Sequence, residues 1–380
     1  MNRPKASDFV QYKNAFLFAP RQIDYRVLKG LFKSGTYYAA SPIGLNKNGL
    51  VFSMRKILAV CVLSAYVMGS LLTMDFVPHP VNMTSDLYKT CALSFVISCI
   101  WTSNFVYTKN WEMFYRYLDK MEQVMDALKF EAEVTYTKQL LGVFLSWLSY
   151  AALHSYRIWN WIELNLMNNF SYSCGHLVTV FFITTIFTYI FFTVKYLHRR
   201  YSFINKKIEN LADNHENFDM IVKFLKTGDR ISEQMNIIFG WQFFLFVSFN
   251  VAYIFCVVTY SLFSHVRPDR WMSSGVLAVF STIITIIIVM SCNKVERCGL
   301  QIVQTCYTAV NSTKDARTKE KLVLLAQYAE EWRPIFSAAG FYDINQLCLN
   351  ALFACSIDYL VIVVQFNMML SSSLPQYKRF

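Results

Sequence analysis

The sequence holds no HExxH, CxxC, GxSxG, GxGxxG or Walker-type loop, and its 6 histidines are scattered. Zinc hydrolysis, acyl transfer and nucleotide-dependent chemistry therefore have no foothold, the chain reads as no enzyme, and neither a metal nor a cofactor is expected. Of the 10 cysteines most fall inside apolar runs and only Cys174 stands clearly at a connection on the outer side, so no outer pair is ready to close a disulfide. Glycine and proline are scarce, 12 and 8 in 380 residues, and no repeated halves or broken apolar segments suggest a transporter. No low-complexity linker interrupts the chain. The opening 50 residues lack an apolar core followed by a small-residue cleavage site, so the first apolar run is expected to be retained as a helix.

Apolar and aromatic residues fill the sequence instead. Hydrophobic residues make up 55% of it, with 33 Phe and 23 Tyr, and the mean hydropathy is +0.30. That is the composition of a membrane protein. Seven runs are long enough to cross a hydrocarbon core, which takes about 20 helical residues: Phe52–Met74, Tyr88–Tyr107, Leu140–Trp159, His176–Leu197, Ile237–Phe263, Met272–Cys292 and Leu347–Leu370.

The net charge of +11 would suit a nucleic-acid binder, but the basic residues gather between the apolar runs, so topology explains them and no nucleic-acid partner is expected. The side with the N-terminal segment and the second-to-third, fourth-to-fifth and sixth-to-seventh connections, counted with the span ends that adjoin them, holds 30 of the 36 Lys and Arg. The positive-inside rule places that side in the cytoplasm, and seven crossings put the C-terminus outside, the inverse of a G-protein-coupled receptor. The sequons at Asn82 and Asn169 both fall on the outer side, where glycosylation occurs; the one at Asn311 falls inside and is expected to be silent.

Outer connections are short and inner ones long. Trp111, Phe114, Tyr115 and Leu118 recur at i, i+3, i+4 and i+7, predicting an amphipathic helix below the membrane after the second span. Similar patterns follow the fourth and sixth spans, with the polar turn "NSTKDART" dividing the last. The expectation is an all-α membrane protein whose spans extend into a cytoplasmic bundle. It reads as one domain over 1–380, with a cytoplasmic segment 1–51, six spans and their extensions over 52–333, and an anchor and last helix over 334–380.

The last run, "DYLVIVVQFNMML", carries Asp358 and Gln365, each costly in a bilayer. Seven residues turn a helix through about 700°, so the two lie within about 20° of one another, on a stripe with Val361, Ile362, Met368, Met369 and Ser372. An intramembrane ionisable group faces a bundle interior or water. Asp358 either joins a wet stripe or bonds a neighbouring helix or vestibule, and Gln365 either lines a pore or bonds between helices.

"AGFYDIN" followed by a helix with Tyr359, five apolar residues Leu360 to Val364, then Gln365 and Phe366 resembles the C-terminal signature of insect gustatory receptors. Asp358 stands where that signature has Thr. The resemblance implies a ligand-gated cation channel at the plasma membrane of a sensory neuron dendrite, a homotetramer or heterotetramer with related subunits whose last helices line one pore. A small-molecule tastant, permeant cations and the lipid bilayer are then the partners. Leu360 stands where sugar-tuned relatives carry an acid, which implies a non-sugar, bitter or other ligand. Asp358, Ile362, Gln365, Phe366 and Met369 are the candidate pore and gate residues. A tastant pocket in the outer half would draw on Tyr150, His154 and Trp159 of the third span, Thr179 and Phe182 of the fourth, Asn250 and Tyr253 of the fifth, and Trp271 at the sixth. An odorant-type subunit working with a co-receptor and a metabotropic seven-helix receptor are the alternatives. The "QF" ending argues against the first, and the basic N-terminal segment against the second.

Overall fold

The computed structural model describes residues 23–35, 80–130, 166–209, 218–263 and 268–373, with single positions 57, 61, 64, 148, 152 and 155. The runs Phe52–Met74 and Leu140–Trp159 lie outside the described residues except at those single positions. Eight α-helices are described: α1 Ile23–Gly35, α2 Pro80–Trp101, α3 Thr108–Ala127, α4 Leu166–Glu209, α5 Phe218–Phe263, α6 Pro268–Ser312, α7 Ala316–Glu331 and α8 Gln346–Ser373. A π turn, Thr102–Val106, joins α2 to α3, and an antiparallel hairpin of β1 Ser337–Ala338 and β2 Tyr342–Asp343 joins α7 to α8. The expected all-α membrane architecture is what forms.

Helices α4, α5 and α6 have 44, 46 and 45 residues. At about 1.5 Å per residue each is roughly twice as long as the hydrocarbon is thick, so a span and the extension beyond it are one rod. Among the described residues, Phe218–Thr259, Ala278–Ser312 and Gln346–Phe366 are each long and apolar enough to cross a membrane. Pro268 opens α6, where its missing N–H costs nothing.

The extension after the second span is not straight. Residues Thr90–Val106 and Thr108–Ala127 meet at 78° across the π turn. Tyr107 N donates to Thr102 O at 2.8 Å, the wider loop closure that marks such a turn, and Asn104 Nδ2 caps the Ile100 carbonyl at 2.9 Å. The bend lays the stripe of α3 against the bundle: Trp111, Phe114, Tyr115 and Leu118 are all buried, as their spacing requires.

Helix α1 was not expected from the sequence. Its Tyr25, Leu28 and Phe32, at i, i+3 and i+7, turn into the core, and the Phe32 ring lies 5.4 Å from Trp111 and 4.9 Å from Tyr189 between centroids. Nearby, Arg200 of α4 is 0% exposed. Its Nη2 and Nε donate to Glu122 Oε1 of α3 at 2.5 and 3.1 Å, and Tyr196 Oη donates to the same oxygen at 2.6 Å. The guanidinium also lies 3.3 Å above the Tyr196 ring centroid. A buried charge pair persists only with its hydrogen bonds filled in this way.

Below α6, Asp315 caps α7 by accepting from Thr318 N at 3.0 Å. The hairpin then reverses the chain through Ala339 and Gly340, both at positive φ, +52° and +80°, and Phe341 N closes it on Ala338 O at 3.0 Å. Its seat is α5. Asn236 Nδ2 donates to Ile335 O at 2.8 Å and Asn236 Oδ1 accepts from Ser337 N at 2.9 Å. One turn on, Gly240 lets the hairpin backbone approach, since a Cβ there would stand 2.7 Å from Ala339 N. The Gly240–Trp241 pair thus packs the hairpin: Phe341 stacks on Phe244 at 4.7 Å and meets Trp241 edge-on at 5.7 Å.

Candidate functional site

Helix α8 has 28 residues, among them a long apolar run, and against the described residues it packs along one edge. Tyr359 stacks on Phe255 of α5 with ring centroids 3.5 Å apart, and its Oη lies 3.2 Å from Thr259 Oγ1. Val363, one turn on, is buried, and Leu352 and Ser356 continue that edge as half-buried residues. The spacing of Phe255 and Thr259, i and i+4 on α5, presents both groups to one tyrosine.

The candidate pore residues lie elsewhere on α8. At 100° per residue, Asp358 and Gln365 sit roughly 130–150° round the helix from the packed edge. Both are exposed in the single chain, as are Ile362, Phe366 and Met369, the last two at 59% and 67%. The stripe of two polar and several apolar side chains is therefore presented outward from the subunit.

The candidate ligand residues scatter more widely. Tyr150, His154 and Trp159 lie outside the described residues, and Thr179 of α4 and Trp271 of α6 are placed by their backbone alone. The sequon residues Asn82 and Asn169 fall in the first turns of α2 and α4. Phe182 and Tyr253 are buried. Asn250 is buried too, and its amide is spent on α6: Nδ2 donates to Thr285 Oγ1 at 2.7 Å and to Ser281 O at 3.3 Å, while Oδ1 accepts from Ser281 Oγ. That geometry clasps two helices.

Sequence reasoning passed over Gln242 of α5. Its side chain is fully buried and Nε2 donates to Thr102 Oγ1, at the π turn, at 3.0 Å. The pair ties the joint of α2 and α3 to the helix that also holds Tyr359. Its sequence signal is a lone glutamine in "GWQFFLF", two residues beyond Gly240 in an otherwise apolar run. A polar cleft of about 550 Å³, lined by Asn205, Glu209, Gln301 and Gln304 among others, opens between the C-terminal ends of α4 and α6.

A family model described as 7tm Chemosensory receptor matches residues 46–370. The structure of insect olfactory receptor OR5 from Machilis hrabei in complex with eugenol is similar at TM-score 0.63 and 12% identity, over 91% of this chain and 98% of that one. A second structure of the same receptor is similar at TM-score 0.59 and 12% identity, over 90% and 98%. No curated protein matches the chain. At such identity the likeness fixes the fold, that of a seven-helix membrane receptor, while the family model spans most of the sequence. The chain belongs to the 7tm chemosensory receptor family.

Proposed function

We propose that this receptor is a gustatory, tastant-gated, non-selective cation channel in which four subunits, identical or related, set α8 around one pore. The observation that carries the reading is the two-sided character of α8. Tyr359 and Val363 hold it to its own subunit, while Asp358, Ile362, Gln365 and Met369 face away from it. A carboxylate and a carboxamide at membrane depth need water or a partner. Four copies about an axis supply both, as stacked rings of acid, apolar constriction and amide, with residues 334–380 as anchor and pore helix.

Rings of acid favour cations, and an apolar constriction closes a pore by dewetting. Gln365 lines the conduction path, and Phe366 or Ile362 forms the closed gate. Phe182, Tyr253 and Trp271 supply apolar wall to an outer pocket together with Tyr150, His154, Trp159 and Thr179, and Asn250 shapes it through the α5–α6 clasp. Leu360 disfavours sugar, so the tastant is a small non-sugar organic molecule, received at the plasma membrane of a sensory neuron. The "QF" pair at 365–366 favours this over an odorant-type subunit with a co-receptor.

Cells expressing the chain alone or with a related subunit should pass ligand-evoked cation current without any G protein. Gln365→Ala and Asp358→Asn should alter conductance and cation selectivity. Unchanged permeation in both variants would overturn the pore assignment.

A further inference from the structure

The walls of the polar cleft come from two helices that run the same way. Thr305 Oγ1 of α6 donates to Asn205 Oδ1 of α4 at 2.7 Å. Nearer the start of each helix, Lys294 of α6 is among the charges that, after burial, hold the His198 imidazole of α4 below its ordinary pKa. The two meetings advance in the same direction along both helices, so at about 1.5 Å per residue Glu209 stands level with Ala309, between Thr308 and Ser312. All four line the cleft, as do Gln301 and Gln304 about one to two turns back.

Hydrogen bonds already made decide what the cleft can take. The hydroxyl protons of its wall are spent inside the protein: Thr305 donates to Asn205, Thr308 Oγ1 to Gln304 O at 3.0 Å, and Ser312 Oγ to Ala309 O at 3.0 Å. Each of these oxygens keeps a lone pair and has no proton left to give. Glu209 only accepts, and among the described residues no cation pairs with it. The carboxamides of Asn205, Gln301 and Gln304 offer both functions, so acceptors exceed donors and the one formal charge in the wall is negative. Helix α6 ends at Ser312, where its dipole adds partial negative charge. No Lys, Arg or His lines the cleft: Lys206 stands about 100° round the helix from Asn205, and Lys207 Nζ is held by Leu128 O at 3.0 Å.

We infer that this cleft is a binding site for a short aliphatic diamine in its ammonium form. One ammonium group donates to the Glu209 carboxylate and to the Thr308 and Ser312 oxygens, and the other to the carboxamide oxygens of Gln301 and Gln304. A volume of about 550 Å³ is that of a small-molecule site and far exceeds a bare metal ion, which a single carboxylate would in any case hold poorly. The site is independent of the tastant pocket, the pore and the membrane orientation.

The test uses the full chain, purified in detergent and dialysed to equilibrium against radiolabelled putrescine. Wild type should bind it saturably, and the uncharged diol of the same length should not compete. Glu209 is exposed, so Glu209→Gln should weaken binding several-fold, and Glu209→Gln/Thr308→Val at least about tenfold. Both positions are at the surface, so the variants keep the fold. Glu330→Gln, which removes the same charge from the far end of α7, should bind as wild type does. Absence of saturable binding, equal binding by Glu209→Gln and wild type, or equal weakening in Glu330→Gln would overturn the site. Equal competition by the diol would show a site for neutral polar molecules, and displacement by magnesium at matched concentration a site for inorganic cations; either would overturn the diamine assignment.

Discussion

At Gly240 the distinction between side chain and none is a structural requirement. Gly240→Ala would press a methyl against the Ala339 nitrogen, 2.7 Å away, and backbone cannot swing aside as a flexible side chain can. The hairpin must shift, at a cost of about 1–3 kcal/mol, measurable as a lower thermal unfolding midpoint of the purified receptor. A second residue-scale prediction concerns Glu122. Glu122→Gln removes the carboxylate that faces the buried Arg200, and should destabilise by about 3–5 kcal/mol. Replacing both, as Glu122→Met/Arg200→Met, should restore most of that loss. A double variant as unstable as the single one would show that the pair's value is not electrostatic.

Between elements, the contact that ties the candidate pore helix to α5 is small and specific. Tyr359→Phe keeps the stack on Phe255 and loses only the contact with Thr259, so ligand sensitivity should change little. Tyr359→Ala removes both and frees α8 from the helix beside it, so the ligand concentration for half-maximal current should shift several-fold. Equal behaviour of the two variants would refute this coupling. At α7, Asp315→Ala removes the acceptor for Thr318 N and should cost about 1 kcal/mol, read by thermal unfolding. The π turn is the other inter-element device: it joins an apolar span to an amphipathic helix lying at 78° to it, and Gln242 holds that corner from α5.

For the whole molecule, the charge asymmetry makes a topological prediction. A tag on the N-terminus should be reached by antibody only after permeabilisation, and one on the C-terminus in intact cells. The reverse result would overturn that orientation. Much of this scale was legible beforehand. The second, fourth, fifth, sixth and seventh runs all fall on described helices, and the stripe Trp111–Leu118 is buried as its spacing demanded. That Asp358 and Gln365 share one stripe also followed from helical turn alone; its outward aspect came from the packing of Tyr359 and Val363, and its role as a pore is a proposal.

Sequence by itself determined what periodicity and composition can carry: which segments are apolar enough for lipid, which face of each helix turns inward, and on which side the positive charge accumulates. Tertiary structure decided what depends on distant residues meeting. Glu122 and Arg200 are 78 positions apart, Asn236 and Ser337 101, and Thr259 and Tyr359 100. Nothing in local spacing names such partners, because a side chain reads only the turn it stands on. The bend at Thr102, the docking of α1 through Phe32 and the hairpin's seat on Gly240 are all products of packing between helices, where close approach and burial choose among pairings that the sequence leaves equivalent.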